Sequence, residues 1–138
     1  MWAIYALLAA LFAALTAILA KIGIENVDSN LAVAIRTAVV LVMAWGIVLV
    51  TGKHEEITNI GQKSWIFLGL SGAATGMSWL FFYKALQLGE ASKVVPIDKF
   101  SVVIAVVLAF FILGEAVSVK TVVGGLLITA GTVVLVLN

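Results

Sequence analysis

The chain has no cysteine, a single proline and few charges: only 11% of its 138 residues are Asp, Glu, Lys or Arg. Without cysteine there are no disulfides and no thiolate chemistry. One proline leaves no Pro-rich linker. Soluble domains carry about 25% charged residues, so this shortage is severe. The net charge of +1 provides no field that would draw nucleic acid. The single histidine, His54, has only Glu55 and Glu56 beside it, which is no metal-ligand set, and no cofactor-binding pattern is present. There is no Gly-rich phosphate loop and no nucleophile elbow. An enzyme is not expected.

What the chain does have is hydrocarbon. Hydrophobic residues make up 64% of it, against about 45–50% in soluble domains. A globule this small cannot hide such an excess, so the surrounding medium must be lipid. A membrane-spanning helix needs about 20 apolar residues. Five segments meet that length: Trp2 to Ile22, Leu31 to Val50, Trp65 to Leu88, Val94 to Leu113 and Val119 to Leu137. The runs are unbroken rather than alternating, which excludes a β-barrel. The first segment lacks a basic leader before its apolar run, so it reads as a retained helix rather than a signal peptide. The expected fold is an all-α integral membrane protein, one five-helix domain over residues 1–138. Trp2, Tyr5 and Trp65 stand near segment ends, as interfacial aromatics do.

The connections carry turn chemistry. Asp28, Ser29 and Asn30 are N-cap candidates for the second segment, and Ser92 and Ser118 for the fourth and fifth. Gly89 suits a left-handed C-cap. Pro96 is expected in the first turn of the fourth segment, where no helical bond is lost. Thr51 to Ser64, with Lys53, His54, Glu55, Glu56 and Lys63, reads as a solvated turn.

Gly72, Gly76, Trp79, Tyr83 and Gln87 follow at helical spacing and form one stripe on the third segment. Its glycine half would admit another backbone closely, and its aromatic half would line a cavity; plain helix packing also accounts for the pattern. Thr121, Gly125 and Thr129 form a similar ridge on the fifth segment, suited to helix–helix contact. The alanines of the first segment suit close packing as well.

Charges inside spans are costly and point to function. Arg36 lies six residues beyond Asn30, roughly 9 Å into its segment. Lys84 and Lys99 enter from the same side to about the same depth. Together they would form a cationic layer able to hold a carboxylate, a phosphate or a sugar acid. Structural roles compete with this reading. Either lysine can snorkel to the headgroups, and Lys84 can pair with Asp98 across the hairpin. A mid-leaflet guanidinium is harder to explain away. Asp98 and Glu115 are also candidates for coupling to protons.

With five spans, Lys53, Lys63 and Lys120 fall on one side, and Lys21, Arg36, Lys84, Lys93 and Lys99 on the other. Counted over loops alone the tally is three against two. By the positive-inside rule, so small a bias favours neither orientation. The expectation is insertion both ways round and an inverted, antiparallel homodimer, the second copy supplying the opposed repeat that many transporters carry in one chain.

Arg36, the run Ala85-Leu-Gln-Leu-Gly-Glu-Ala-Ser-Lys-Val-Val-Pro96, the turn Leu113-Gly114-Glu115 and the spacing from Gly124 to Gly131 resemble the EamA domain of the drug/metabolite transporter superfamily. The resemblance covers essentially the whole chain. It implies a secondary transporter exporting or importing a small metabolite by alternating access, and the cationic layer makes a polar or anionic metabolite the expected cargo. Typical members hold two such units in opposite orientation; this chain holds one. The resemblance further implies that the first four helices surround the pathway and that the fifth is peripheral or supports assembly. Arg36, Trp79, Tyr83, Lys84 and Lys99 become pathway candidates. No acidic residue lies deep in the first segment, and Glu25 is in the loop, which argues against the cation-exporting small multidrug type. A flippase for a lipid-linked phosphate carrier and a non-transporting membrane subunit are the competing functions. The implied partners are membrane lipid, a second copy of the chain and a small-molecule cargo, with the cell membrane as location.

Overall fold

The computed structural model describes residues 1–137. Its helices are α1 (Trp2–Gly23), α2 (Ser29–Val50), α3 (Gln62–Leu88), α4 (Ala91–Asp98), α5 (Ser101–Leu108) and α6 (Val119–Val136). Among the described residues there is no strand. Five stretches are long and apolar enough to cross a membrane, with α4, α5 and the turn after them forming the fourth, Ala91–Leu113. Large aliphatic and aromatic side chains stand exposed along the spans. That would be prohibitive in water and is ordinary where the neighbour is an acyl chain.

By contacts the chain divides into two compact units. One is Leu19–Gln87; the other joins Met1–Ile18 to the chain from Leu88 onward.

In the Leu19–Gln87 unit, Asp28 caps α2: its Oδ1 accepts from the N–H groups of Asn30 (2.9 Å) and Leu31 (3.1 Å). Gly52 then ends α2 in the left-handed conformation, φ 70°. The Thr51 to Ser64 connection is exposed throughout, as a solvated turn is. Lys53–Asn59 form a 3₁₀ turn in which Lys53 pairs with Glu56 at 2.5 Å. Both partners are exposed, so the pair contributes little. The buried residues here are Ala20, Ile24, Ser29, Val33, Tyr83 and Leu86. Leu86 has no exposed surface at all. Truncating it leaves a cavity whose walls lose their dispersion contacts even where lipid, not water, surrounds the protein. Leu86→Ala is therefore expected to destabilise the protein by about 2 kcal/mol, read as a lower midpoint when unfolding is followed by circular dichroism in mixed micelles.

The other unit corrects three expectations. Gly89 is not left-handed: among the described residues only Gly52 and Gly114 have positive φ. The turn is made by Glu90 instead, which is extended (ψ 138°) and whose carbonyl accepts from Lys93 and Val94, both at 3.0 Å. Glu90 is thus the N-cap in place of Ser92, without a side-chain bond. The helix starts earlier than expected, so Pro96 falls in its interior rather than its first turn. A proline there removes one helical bond and crowds the carbonyl four residues back. α4 stops at Asp98, and the span resumes at Ser101 as α5.

At that interruption the Phe100 N–H turns to the Ile97 carbonyl, 3.0 Å away. The Pro96 carbonyl, which Phe100 would serve in a continuous helix, accepts instead from Thr132 Oγ1 of α6 at 3.3 Å. An unsatisfied carbonyl in lipid is costly, so α6 mends the break. Thr132→Val is expected to cost about 0.6 kcal/mol, the usual size of such bonds in membranes, measured by the same unfolding titration. The fourth span ends in a π-helical turn, Ala109–Leu113, closed by left-handed Gly114 at φ 68°. Ser118 caps α6 as expected, its Oγ accepting from the Thr121 N–H at 3.1 Å.

Candidate functional site

The residue types that handle anions come together in the Leu19–Gln87 unit. α2 turns Ser29, Val33 and Arg36 to one side, at helical steps of four and three. Ser29 and Val33 are buried, and Arg36 follows them as a half-buried cation. α3 offers a matching stripe in which Trp79 is half-buried and Tyr83 buried. The Arg36 guanidinium carbon lies 3.8 Å from the Trp79 ring centroid and 5.6 Å from that of Tyr83. Both distances are within cation–π range, together worth about 1–2 kcal/mol in a desolvated setting.

The rings offer the guanidinium aromatic carbon and no hydrogen-bond acceptor. Among the described residues no carboxylate pairs with Arg36 and no carbonyl accepts from it. Its N–H donors are therefore unspent.

Two further bonds hold this arrangement. Lys21, in the last turn of α1, donates from Nζ to the Leu86 carbonyl at 2.5 Å. That carbonyl is one of the four at the α3 terminus with no helical partner, and a cation is favoured there. Gln87 Nε2 donates to the Val27 carbonyl at 2.9 Å. Together they pin the end of α3 to the corner between α1 and α2. Beside them opens a cleft of about 450 Å³ lined by Lys21, Ile22, Ile24, Glu25 and Gln87. Sequence reasoning counts Lys21 only as a loop charge; its place in the last turn of a helix is the available signal.

The remaining candidates lie elsewhere. Lys84 is exposed, about 100° around α3 from Tyr83, and its nearest polar contact is Gln87 Oε1 at 3.5 Å. Asp98 has an ion-pair partner in its neighbour Lys99, at 3.5 Å. Both sit where α4 gives way to the turn before α5, in the other unit. Glu115 is exposed beyond Gly114 and borders a 400 Å³ cleft with Val102, Ala105 and Val106. Gly125 lies in an apolar groove of about 250 Å³ between α5 and α6, together with Thr121 and Thr129. A Cβ placed on Gly72, Gly76 or Gly125 would meet no atom of the described residues within 4 Å, so none of them uses the close approach these glycines allow.

The profile of the EamA-like transporter family matches residues 1–137. The chain belongs to the EamA-like transporter family. A Sinorhizobium protein named "Uncharacterized transporter in cobO 3'region" is 42% identical over 134 residues, spanning 97% of this chain and 95% of that protein. No solved structure matches. For this EamA-like chain, family and spans together establish a multi-pass membrane protein of a transporter family rather than an enzyme family.

Proposed function

We propose that this EamA-like protein is a secondary transporter of the cell membrane that moves a small polar or anionic metabolite by alternating access, working as an antiparallel homodimer. The observation that carries the reading is the Arg36 guanidinium, stacked on Trp79 at 3.8 Å and lacking any acceptor among the described residues. A cation in a membrane span without a counter-ion is expensive. Such a group persists where a cargo neutralises it for part of the cycle. The near-balance of loop charges, three against two, supports the second half of the reading. Insertion both ways supplies an inverted partner that a single five-span unit otherwise lacks.

The test is uptake into proteoliposomes. Purified protein is reconstituted, and a set of radiolabelled amino acids, organic acids and sugar acids is offered from outside. Saturable uptake of at least one anionic or polar solute, above that of empty vesicles, is expected. Preparations that retain the dimer yet move none of them would contradict the reading.

A further inference from the structure

We infer that the cargo site at Arg36 takes a monocarboxylate with an apolar body, bound edge-on to the guanidinium. The inference rests on the transport reading above and narrows its substrate class.

Direction of approach comes first. Trp79 lies 3.8 Å from the guanidinium carbon and Tyr83 5.6 Å, and an aromatic ring offers the cation no hydrogen-bond acceptor. What remains open is the set of paired N–H donors, none of which has an acceptor among the described residues. A fork of this kind is matched by two oxygens held in one plane, as in a carboxylate, and less well by a single acceptor.

Charge then separates the candidate anions. Lys21 is tied to the Leu86 carbonyl, and its cleft is lined by the acidic Glu25 as well. Lys63 and Lys84 are exposed, and Lys84 has Gln87 Oε1 at 3.5 Å. Among the described residues, the half-buried cation of this unit with neither an ion pair nor a hydrogen bond is that of Arg36. A carboxylate carries one negative charge and neutralises it. A phosphate monoester carries about −1.5 to −2 and would leave excess charge desolvated.

The surroundings supply the last element. Trp79 and Tyr83 offer ring surface next to the fork and no second charged group. Cargo extending from its carboxylate would meet hydrocarbon and aromatic carbon, which favours an aliphatic or aromatic body.

The chain has four tryptophans, so a variant carrying Trp2→Phe, Trp45→Phe and Trp65→Phe reports on Trp79 alone. Benzoate, its neutral amide benzamide and inorganic phosphate are titrated into this variant in nanodiscs, with Trp79 emission as readout. Benzoate is expected to shift the emission saturably and benzamide to leave it unchanged. Phosphate is expected to bind about tenfold more weakly or worse, and Arg36→Gln to weaken benzoate by about tenfold or more, as the loss of a charged hydrogen-bonded pair requires. Should the triple replacement fail to fold, equilibrium dialysis of labelled benzoate against the unmodified protein and Arg36→Gln reads the same difference. Equal binding of benzamide, equal binding of phosphate, indifference to Arg36→Gln, or no benzoate binding by folded protein each overturns the inference. A phosphate-only response overturns it while anion transport still stands, whereas uptake that fails for every solute removes the transport reading itself.

Discussion

Arg36→Gln is expected to lower transport by about 10- to 100-fold while the protein remains folded. The magnitude follows from the interaction removed: a hydrogen bond to a charged group is worth about 1.5–3 kcal/mol, and Arg36 has its donors free for cargo. The fold survives because the two effects on stability oppose one another. The cation–π contacts with Trp79 and Tyr83 are lost, at about 1–2 kcal/mol. The cost of holding an unpaired charge in the span disappears with them. Arg36→Lys keeps the charge but neither the fork nor the flat stack, so its activity should fall between the two. Lys99→Gln is the control. Lys99 is exposed and, among the described residues, its ion pair is with its neighbour Asp98 at 3.5 Å, so its loss should change the rate by less than about threefold. Initial uptake rates, normalised to dimer recovered by gel filtration, check all three. Equal rates for wild type and Arg36→Gln would remove Arg36 from the pathway.

Charge-shifted variants should be inactive alone and active together. Only one loop charge separates the two faces of the topology, so small changes decide the orientation. Thr58→Lys with Asn59→Lys adds two positive charges to the connection between α2 and α3. Lys53→Gln with Lys63→Gln removes two from the same side. These positions are exposed, and the Lys53–Glu56 pair among them is solvated, so stability should barely change. Each variant is expected to insert almost wholly one way and to lose about tenfold or more in uptake, since every copy then points alike. Co-expression supplies opposed copies and should restore uptake. Full activity of either variant on its own would contradict an antiparallel pair.

The spans are the most legible part of the chain. Trp2 to Ile22 becomes Trp2–Gly23, and Leu31 to Val50 becomes Ser29–Val50, because the cost of putting polar backbone in lipid fixes where an apolar run can end. The start of the fourth span is harder to read. Whether Ser92 or Glu90 caps α4 depends on which residue is extended, and both have suitable neighbours. Two residues of displacement move Pro96 from a harmless first turn into the helix interior, and the helix stops two residues later, at Asp98. The mending contact from Thr132 joins positions 36 residues apart, beyond the reach of any local pattern. In the candidate site, the Trp79–Tyr83–Gln87 stripe is readable from spacing on α3. That Arg36 lies over its rings is not, because an α2 helix apolar nearly all round gives no signal for how it is rotated. By depth alone Lys84 and Lys99 match Arg36. In the structure Lys84 is exposed on another side of α3, and Lys99 sits beside Asp98 in the other unit.

The most direct measurement of the central claim uses the absence of cysteine. Asn59→Cys places one thiol on the exposed connection between α2 and α3. A membrane-impermeant maleimide is applied to intact cells, and then again after permeabilisation, with uptake measured on the same preparation. Insertion in both orientations predicts that roughly half of the thiols react from outside and the rest only once the membrane is opened. Labelling that is complete, or wholly absent, in cells that transport would contradict it.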